Sequence, residues 1–288
     1  MPENGHGLGG SATLPAMVTV PQRLLSLPIV EVVHAGADVT VLRKRTREPL
    51  YERPSSLSTH ALSFVEEGEQ VVYDDTGVRI RVTPGRAGLM RRDLYTITDL
   101  LAGETGAFAT TVAFFSDAVV RRAVELRGGG SAAERASVLC LLDVAPGADD
   151  WVRARSPGGG DGAWAAAVAT FLAASLSSPA ALLSRPRRSL REFMRAHFDK
   201  PLSVEDYAYL TGRSVRSFRR DFAARFGESP KRWLVARRLE RARELLRRGE
   251  VDSVNGAAAA VGYGSTSHFI ARYRERYGET PMGDRAVP

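Results

Sequence analysis

A chain of 288 residues has the length for two domains with ordinary cores, and its 40 Lys+Arg against 33 Asp+Glu give it a net charge of +7. Its single cysteine, Cys140, excludes an intrachain disulfide and fits a reducing cytoplasm. The opening MPENGHGLGGSATLPAMVTVPQ lacks the basic start and long apolar run of a secretory signal, and no later stretch approaches the length of a membrane span, so neither export nor insertion is expected.

Residues 1–20 are expected to form a disordered arm, and residues 21–184 a first region. From about Val30 to Phe115 the segments DVTVLR, HALSFVEEG, EQVVYDD, VRIRVTPG, AGLMRRD and FATTVAFF are short and rich in β-branched and aromatic residues. Gly, Pro or Asp turns separate them, a rhythm that predicts a small antiparallel barrel or sandwich. From Asp117 the apolar period lengthens toward 3.6, and SDAVVRRAVELR, SAAERASVLCLLDV and AWAAAVATFLAASL are three candidate helices. The third would leave an apolar stripe exposed on a lone subunit, which predicts self-association through Asp117 to Leu176; the bland alternative is that the helix covers its own barrel. The prolines and polar residues of SSPAALLSRPRR then mark a hinge.

The remaining residues, 185–288, contain one phrase written twice. SFRRDFAARFGESP runs from Ser217 to Pro230, and HFIARYRERYGETP from His268 to Pro281. Phe218, Phe222 and Phe226 match Phe269, Tyr273 and Tyr277, at steps of four that line one side of a helix. Gly227 and Gly278 suit left-handed helix ends, and Ser229-Pro230 and Thr280-Pro281 suit an N-cap followed by a first helical proline. Upstream, Ala208 precedes Gly212 by four and Ala258 precedes Gly262 by four, before Ser214 and Ser265 open the next helices. Small residue, glycine turn and capped helix predict two helix-turn-helix units in an all-α region.

The positive charge belongs to this region, which holds 23 basic and 13 acidic residues from Arg185 onward. The whole chain has only three lysines, Lys44, Lys200 and Lys231, so the basic surface is arginine, able to fork onto phosphate or guanine. The bland alternative is an arginine-rich solvated face.

The segment from about Ser189 to Arg285 resembles the DNA-binding domain of the AraC/XylS family of bacterial transcription regulators. The likeness is carried by PLSVEDYAYLTGRSVRSFRRDFAARFGESPKRWLVARRLERARELL and AAVGYGSTSHFIARYRERYGETP, which cover about a third of the chain. It implies an N-terminal cupin-like barrel with dimerising helices, promoter DNA and RNA polymerase as partners, and a linker helix between the two units. Three positions depart from the family pattern. Ala257 replaces a larger aliphatic, Ala271 a polar contact, and MGDR an ending with an aromatic before arginine; the last resembles the subgroup that activates type III secretion genes.

With Phe218, Phe222 and Phe226 inward, Arg216 and Arg220 point almost opposite, with Ser217 beside them and Arg219 on the flank. Such a helix presents guanidinium groups to a major groove, and Ala223 and Ala224 let it lie close. The alternatives are phosphate contact alone for the arginines and a plain N-cap for Ser214. In the second helix Ser265, Thr266, Ser267, His268, Arg272 and Arg274 are the candidate contacts, with Arg272 and Arg274 suited to the backbone. Trp233, Leu234, Leu239, Ala242 and Leu245 are the expected inward residues of the linker helix.

Catalysis finds no constellation. The five histidines include no pair at ligand spacing, the glycine runs lack a phosphate-loop lysine, and Cys140 suits an apolar core. No enzyme, cofactor or metal is expected. The first region is either a sensor of a small effector or a docking module for a regulatory protein, and the whole either an activator or a DNA-binding repressor or architectural protein.

Overall fold

The alternating apolar runs of the N-terminal half become strands in a computed structural model, which describes residues 17–128, 139–153, 159–184 and 187–285. The chain divides into two units, Met17–Arg185 and Pro186–Pro288. The first contains β1 (Val18–Val20), β2 (Val30–Ala35), β3 (Val39–Thr46), β4 (Leu50–Leu57), β5 (His60–Glu67), β6 (Glu69–Asp74), β7 (Arg79–Val82), β8 (Arg86–Met90), β9 (Leu94–Leu100), β10 (Phe108–Phe115) and β11 (Leu139–Asp143). With them go α1 (Asp117–Leu126), α2 (Asp150–Arg153) and α3 (Asp161–Ser175).

The strands form two sheets, ordered β1-β4-β9-β6-β7 and β11-β8-β5-β10-β3-β2. Neither sheet closes on itself. The barrel or sandwich expected from the sequence is a pair of open sheets, with β1, β7, β2 and β11 as edges. All pairings are antiparallel except β1 with β4.

Period-two alternation explains why the middle strands are apolar almost throughout. Leu42, Ala61, Val65, Phe108 and Phe114 lie in the core shared with Val72, Val82 and Tyr95 of the five-stranded sheet. Their neighbours Val41, Leu62, Phe64, Ala113 and Phe115 lie on the opposite face, against Val120 of α1 and Trp164, Val168, Phe171 and Leu172 of α3. The six-stranded sheet is therefore covered twice. The stripe of α3 expected to drive self-association is spent on its own sheet, as in the bland alternative.

Asp161, the first residue of α3, fixes that docking. Its carboxylate accepts from the Asp38 and Val39 backbone N–H groups at 3.0 and 3.3 Å and meets His34 Nε2 at 3.0 Å, while the His34 ring stacks on Trp164. Burial works to raise its pKa, but the His34 and backbone hydrogen bonds outweigh it and hold the carboxyl below its usual value. A polar joint ties the two sheets together: Ser63 donates to Gln70, Gln70 to Asp99, and Lys44 pairs with Asp99. His60, buried and against Asp117, is a core residue.

Two expectations fail here, and a third holds in part, since the chain divides between Arg185 and Pro186, inside the expected hinge. Val18–Val20 pairs with Ser55–Leu57 and is not part of a disordered arm; residues 1–16 lie outside the described residues. The end of SAAERASVLCLLDV is not helix but β11, paired with β8, and its residues 131–138 likewise lie outside them. The first half of the expected hinge is a 3-10 turn, Pro179–Leu183, with Pro179, Ala181 and Leu182 buried.

In the second unit the helices are α4 (Leu190–His197), α5 (Val204–Leu210), α6 (Val215–Phe226), α7 (Pro230–Arg247), α8 (Val254–Ala260), α9 (Thr266–Tyr277) and α10 (Pro281–Arg285). The inward residues expected for the linker helix α7, Trp233, Leu234, Leu239, Ala242 and Leu245, are all buried. Ala257 is fully buried too, among Leu245, Val251 and Val261.

Candidate nucleic-acid interface

Each helix-turn-helix unit is assembled by the same local chemistry. Ser203 and Asp206 form a capping box that starts α5, and α5 ends at Gly212 with φ +69°. The Arg213 N–H returns to the Ala208 carbonyl at 2.8 Å, as the Tyr263 N–H returns to Ala258 at 2.9 Å in the second unit. Ser214 then caps α6 by accepting from Ser217 N–H, and Ser265 caps α9 by accepting from His268 N–H. Gly227 and Gly278 end the two helices at φ +75° and +76°, the left-handed conformation that glycine adopts without penalty.

The aromatic repeat anchors both helices. Phe218 and Phe222 of α6 and Phe269 and Tyr273 of α9 are fully buried, while Phe226 stacks on Phe222 at 4.2 Å and Tyr277 meets Tyr273 at 4.8 Å. With those sides inward, Arg216, Arg219 and Arg220 of α6 are exposed, as are Ser267, His268, Arg272 and Arg274 of α9; Ser217 and Thr266 are half-buried.

The candidate side chains differ in how free they are. Among the described residues Arg216 and Arg274 make no hydrogen bond or ion pair. Arg219 lies 3.6 Å from Glu205, and Arg220 reaches Asp221 at 3.2 and 3.4 Å. Asp221 is shared with buried Arg213, whose Nε donates to it at 3.3 Å. Burial works to raise the Asp221 pKa, yet the hydrogen bonds from Arg213 and Arg220 bring it below the usual carboxylate value. Arg272 pairs with Glu275 at 2.7 Å and approaches His268 at 3.5 Å, so two candidates of α9 lean on one another. Ser214 and Ser217 likewise share a hydroxyl hydrogen bond of 3.1 Å.

Two further side chains lock the linker helix α7 to its neighbours, and the sequence did not single them out for this. Arg238 of α7 donates from Nε to the Phe198 carbonyl at 2.7 Å, from one terminal nitrogen to Gly262 at 3.3 Å, and from the other to Lys200. Asp284 of α10, 1% exposed, accepts from Arg243, Arg247 and the Tyr273 hydroxyl. The signal for Arg238 was its place in the linker segment KRWLVARRLERARELL, which carries part of the family likeness; for Asp284 it was the departure MGDR, which puts a carboxylate in the last helix. Among the described residues no cluster of metal-ligating side chains occurs, and no helix is long and apolar enough to cross a membrane.

Residues 207–286 match the family described as a helix-turn-helix domain. The virulence regulon transcriptional activator VirF of Yersinia enterocolitica is 33% identical over 110 residues, 38% of this chain and 40% of that protein. The HTH-type transcriptional regulator ExsA of Pseudomonas aeruginosa is 32% identical over 104 residues, 36% of this chain and 37% of that protein. A solved transcriptional regulator with an AraC-type DNA-binding domain from Chromobacterium violaceum is 35% identical, over 34% of this chain and 86% of that one, with a TM-score of 0.30. The chain thus spans about two fifths of the length of these curated relatives. With two capped and aromatic-anchored helix-turn-helix units in tandem on one linker helix, and with the match over residues 207–286, the C-terminal unit is a helix-turn-helix domain of the AraC type.

Proposed function

We propose that this chain is a sequence-specific DNA-binding transcription regulator that activates its promoters, with α6 and α9 entering successive major grooves. The observation that carries the proposal is the pair of recognition-type helices, each pinned by two fully buried aromatics, with Arg216 and Arg220 exposed on the side of α6 away from the core. In this reading residues 185–288 bind DNA, and residues 21–184 respond to a small effector or a regulatory protein and hold two copies together in the cytoplasm. RNA polymerase is the further partner, on the strength of the family alone. No catalysis and no cofactor is part of the proposal. Since the core stripe of α3 is buried on its own sheet, a dimer draws on some other surface of the first unit.

Fluorescence anisotropy of the full chain against a duplex selected from a random pool tests the DNA reading, with a scrambled duplex as control. Log K is expected to fall with log salt at a slope of roughly −0.9 per neutralised phosphate; a chain that binds neither duplex at low salt is not a DNA-binding regulator. A reporter assay on a bound promoter then separates activation from repression.

The two helices divide the work. A forked guanidinium on guanine discriminates by about 1–3 kcal/mol per base pair, whereas Ser267 offers one hydroxyl and Ala271 a methyl. Arg220→Ala is therefore expected to relax base preference at one or two positions in a binding-site selection. Arg274→Ala is expected to weaken all sequences alike and to reduce the salt slope by about one unit. An unchanged sequence preference for Arg220→Ala would make that arginine a phosphate clamp.

A further inference from the structure

The flank of α6 opens onto a hollow of about 660 Å³ walled by Arg187, Arg188, Arg191, Arg213 and Arg225 around the start of α4. We propose that this hollow is a phosphate site, and that its occupant is the DNA backbone beside the groove that α6 enters. The inference rests on the DNA-binding reading and adds a contact outside the outward faces of both recognition helices.

Five guanidinium groups line the hollow, no carboxylate does among the described residues, and the Asp221 carboxylate that Arg187 and Arg213 approach is already taken. Asp221 is held by Arg213 and Arg220, as described. Arg213 is spent inside the fold, donating to the Thr211 carbonyl at 2.6 Å and to that of Arg188 at 3.1 Å. Arg188 is spent as well, donating to the Leu210 carbonyl at 3.0 Å and lying over the Phe193 ring. Three cations remain on the rim. Arg187 is 73% exposed and only within 3.9 Å of the shared Asp221, and among the described residues Arg191 and Arg225, both exposed, make no hydrogen bond or ion pair. Three like charges around one hollow repel each other until an anion enters, and a guanidinium fork matches a phosphate better than a chloride.

Position selects the source of the phosphate. At 100° per residue, Arg219 and Asp221 lie about 100° to either side of Arg220, and Arg225 about 140° away on the Asp221 side. A helix seated in a major groove has a sugar–phosphate strand along each flank. Arg219 serves one strand and the arginine hollow the other. The free cations stand on an open rim, where a continuous strand passes more readily than a small anion is enclosed.

Arg191→Gln, Arg225→Gln and the double variant of the full chain test this by anisotropy across a salt series, on a duplex selected by the wild-type protein. Each single change is expected to make the salt slope shallower by about 0.9 and the double by about twice that, with the same selected sequence and the same melting temperature. In a scan of single methylphosphonate replacements, one flanking position should weaken the wild type and leave the double variant unchanged. Slopes equal to the wild type overturn the proposal. So does calorimetric binding of inorganic phosphate, abolished in the double variant, alongside an unchanged slope, because the hollow then holds a free anion. A wild-type chain that selects no duplex overturns the DNA-binding reading itself, a result distinct from either.

Discussion

Asp284→Ala is expected to lower the stability of the C-terminal unit by about 3 kcal/mol, a fall of about 2 M in the urea midpoint at a slope of about 1.5 kcal/mol per M. The carboxylate is buried and holds Arg243 Nε at 2.6 Å, Arg247 at 2.7 and 2.9 Å, and the Tyr273 hydroxyl at 2.6 Å. Two cations from α7 and one phenol from α9 thus converge on α10. Removing the carboxylate leaves the phenol without an acceptor in the core, while Arg243 and Arg247 are partly exposed and recover some hydration. Hydrogen exchange should localise the loss to α9 and α10. Protection lost evenly over the unit, or not at all, would deny the carboxylate this role. The same group sets an acid limit. Burial works to raise its pKa, but the hydrogen bonds from Arg243, Tyr273 and Arg247 outweigh it and bring it to about 2. The folded unit then binds fewer protons than the unfolded chain between about pH 4 and pH 2. This contribution is full above the ordinary carboxylate pKa and lost as pH falls through about 2, and it is on the order of 2 kcal/mol. Asp284→Asn should flatten that part of the stability–pH curve.

Arg238→Ala is expected to cost about 3 kcal/mol and to uncouple the two recognition helices. The side chain joins the end of α4, the loop after it and the turn of the second helix-turn-helix unit through carbonyls of Phe198, Lys200 and Gly262. Charge-assisted hydrogen bonds of this kind are worth about 1.5–3 kcal/mol each, and their loss leaves inward carbonyls unsatisfied. Gly262→Ala attacks the same joint from the other side. The added Cβ would stand 2.7 Å from the Asp199 carbonyl oxygen, at φ +76°. If the joint sets the spacing of α6 and α9, both variants should bind a full site and one with altered half-site spacing more equally than the wild type does. A spacing preference kept intact would leave the joint a role in stability alone. Because the two changes strike one contact, their costs should be less than additive.

The C-terminal unit was legible because its signal is written twice and is helical. Aromatics four apart, ended by glycine and serine-proline, have one physical solution, and the structure has it at α6 and α9. The apolar run VLCLLDV has two, since a short run with no period fits a buried strand or a helix equally, and only pairing with β8 decides for the strand. Strand β4 was masked by Pro54, which is tolerated because the β1 ladder begins one residue later, at Ser55. Least legible was the task of each arginine. By charge alone Arg213, Arg216 and Arg238 are equivalent members of one arginine-rich region; the structure buries Arg213 and binds Arg238 to backbone, leaving Arg216 outside. Burial and partner geometry are tertiary facts that no helical wheel contains.

That division separates charge from architecture. Arg238 spans three segments with one planar fork, and Asp284 takes paired nitrogens from two arginines, neither of which an ammonium on a flexible stem reproduces. A version with every arginine of the unit replaced by lysine would keep its electrophoretic mobility and its pull toward any polyanion, and is expected to lose its cooperative melting transition. At Arg216 and Arg274, where the guanidinium meets no protein group, lysine should leave melting untouched. The tolerance of each basic position to lysine would thus sort the scaffold of this unit from its bare charge, without any nucleic acid in the tube.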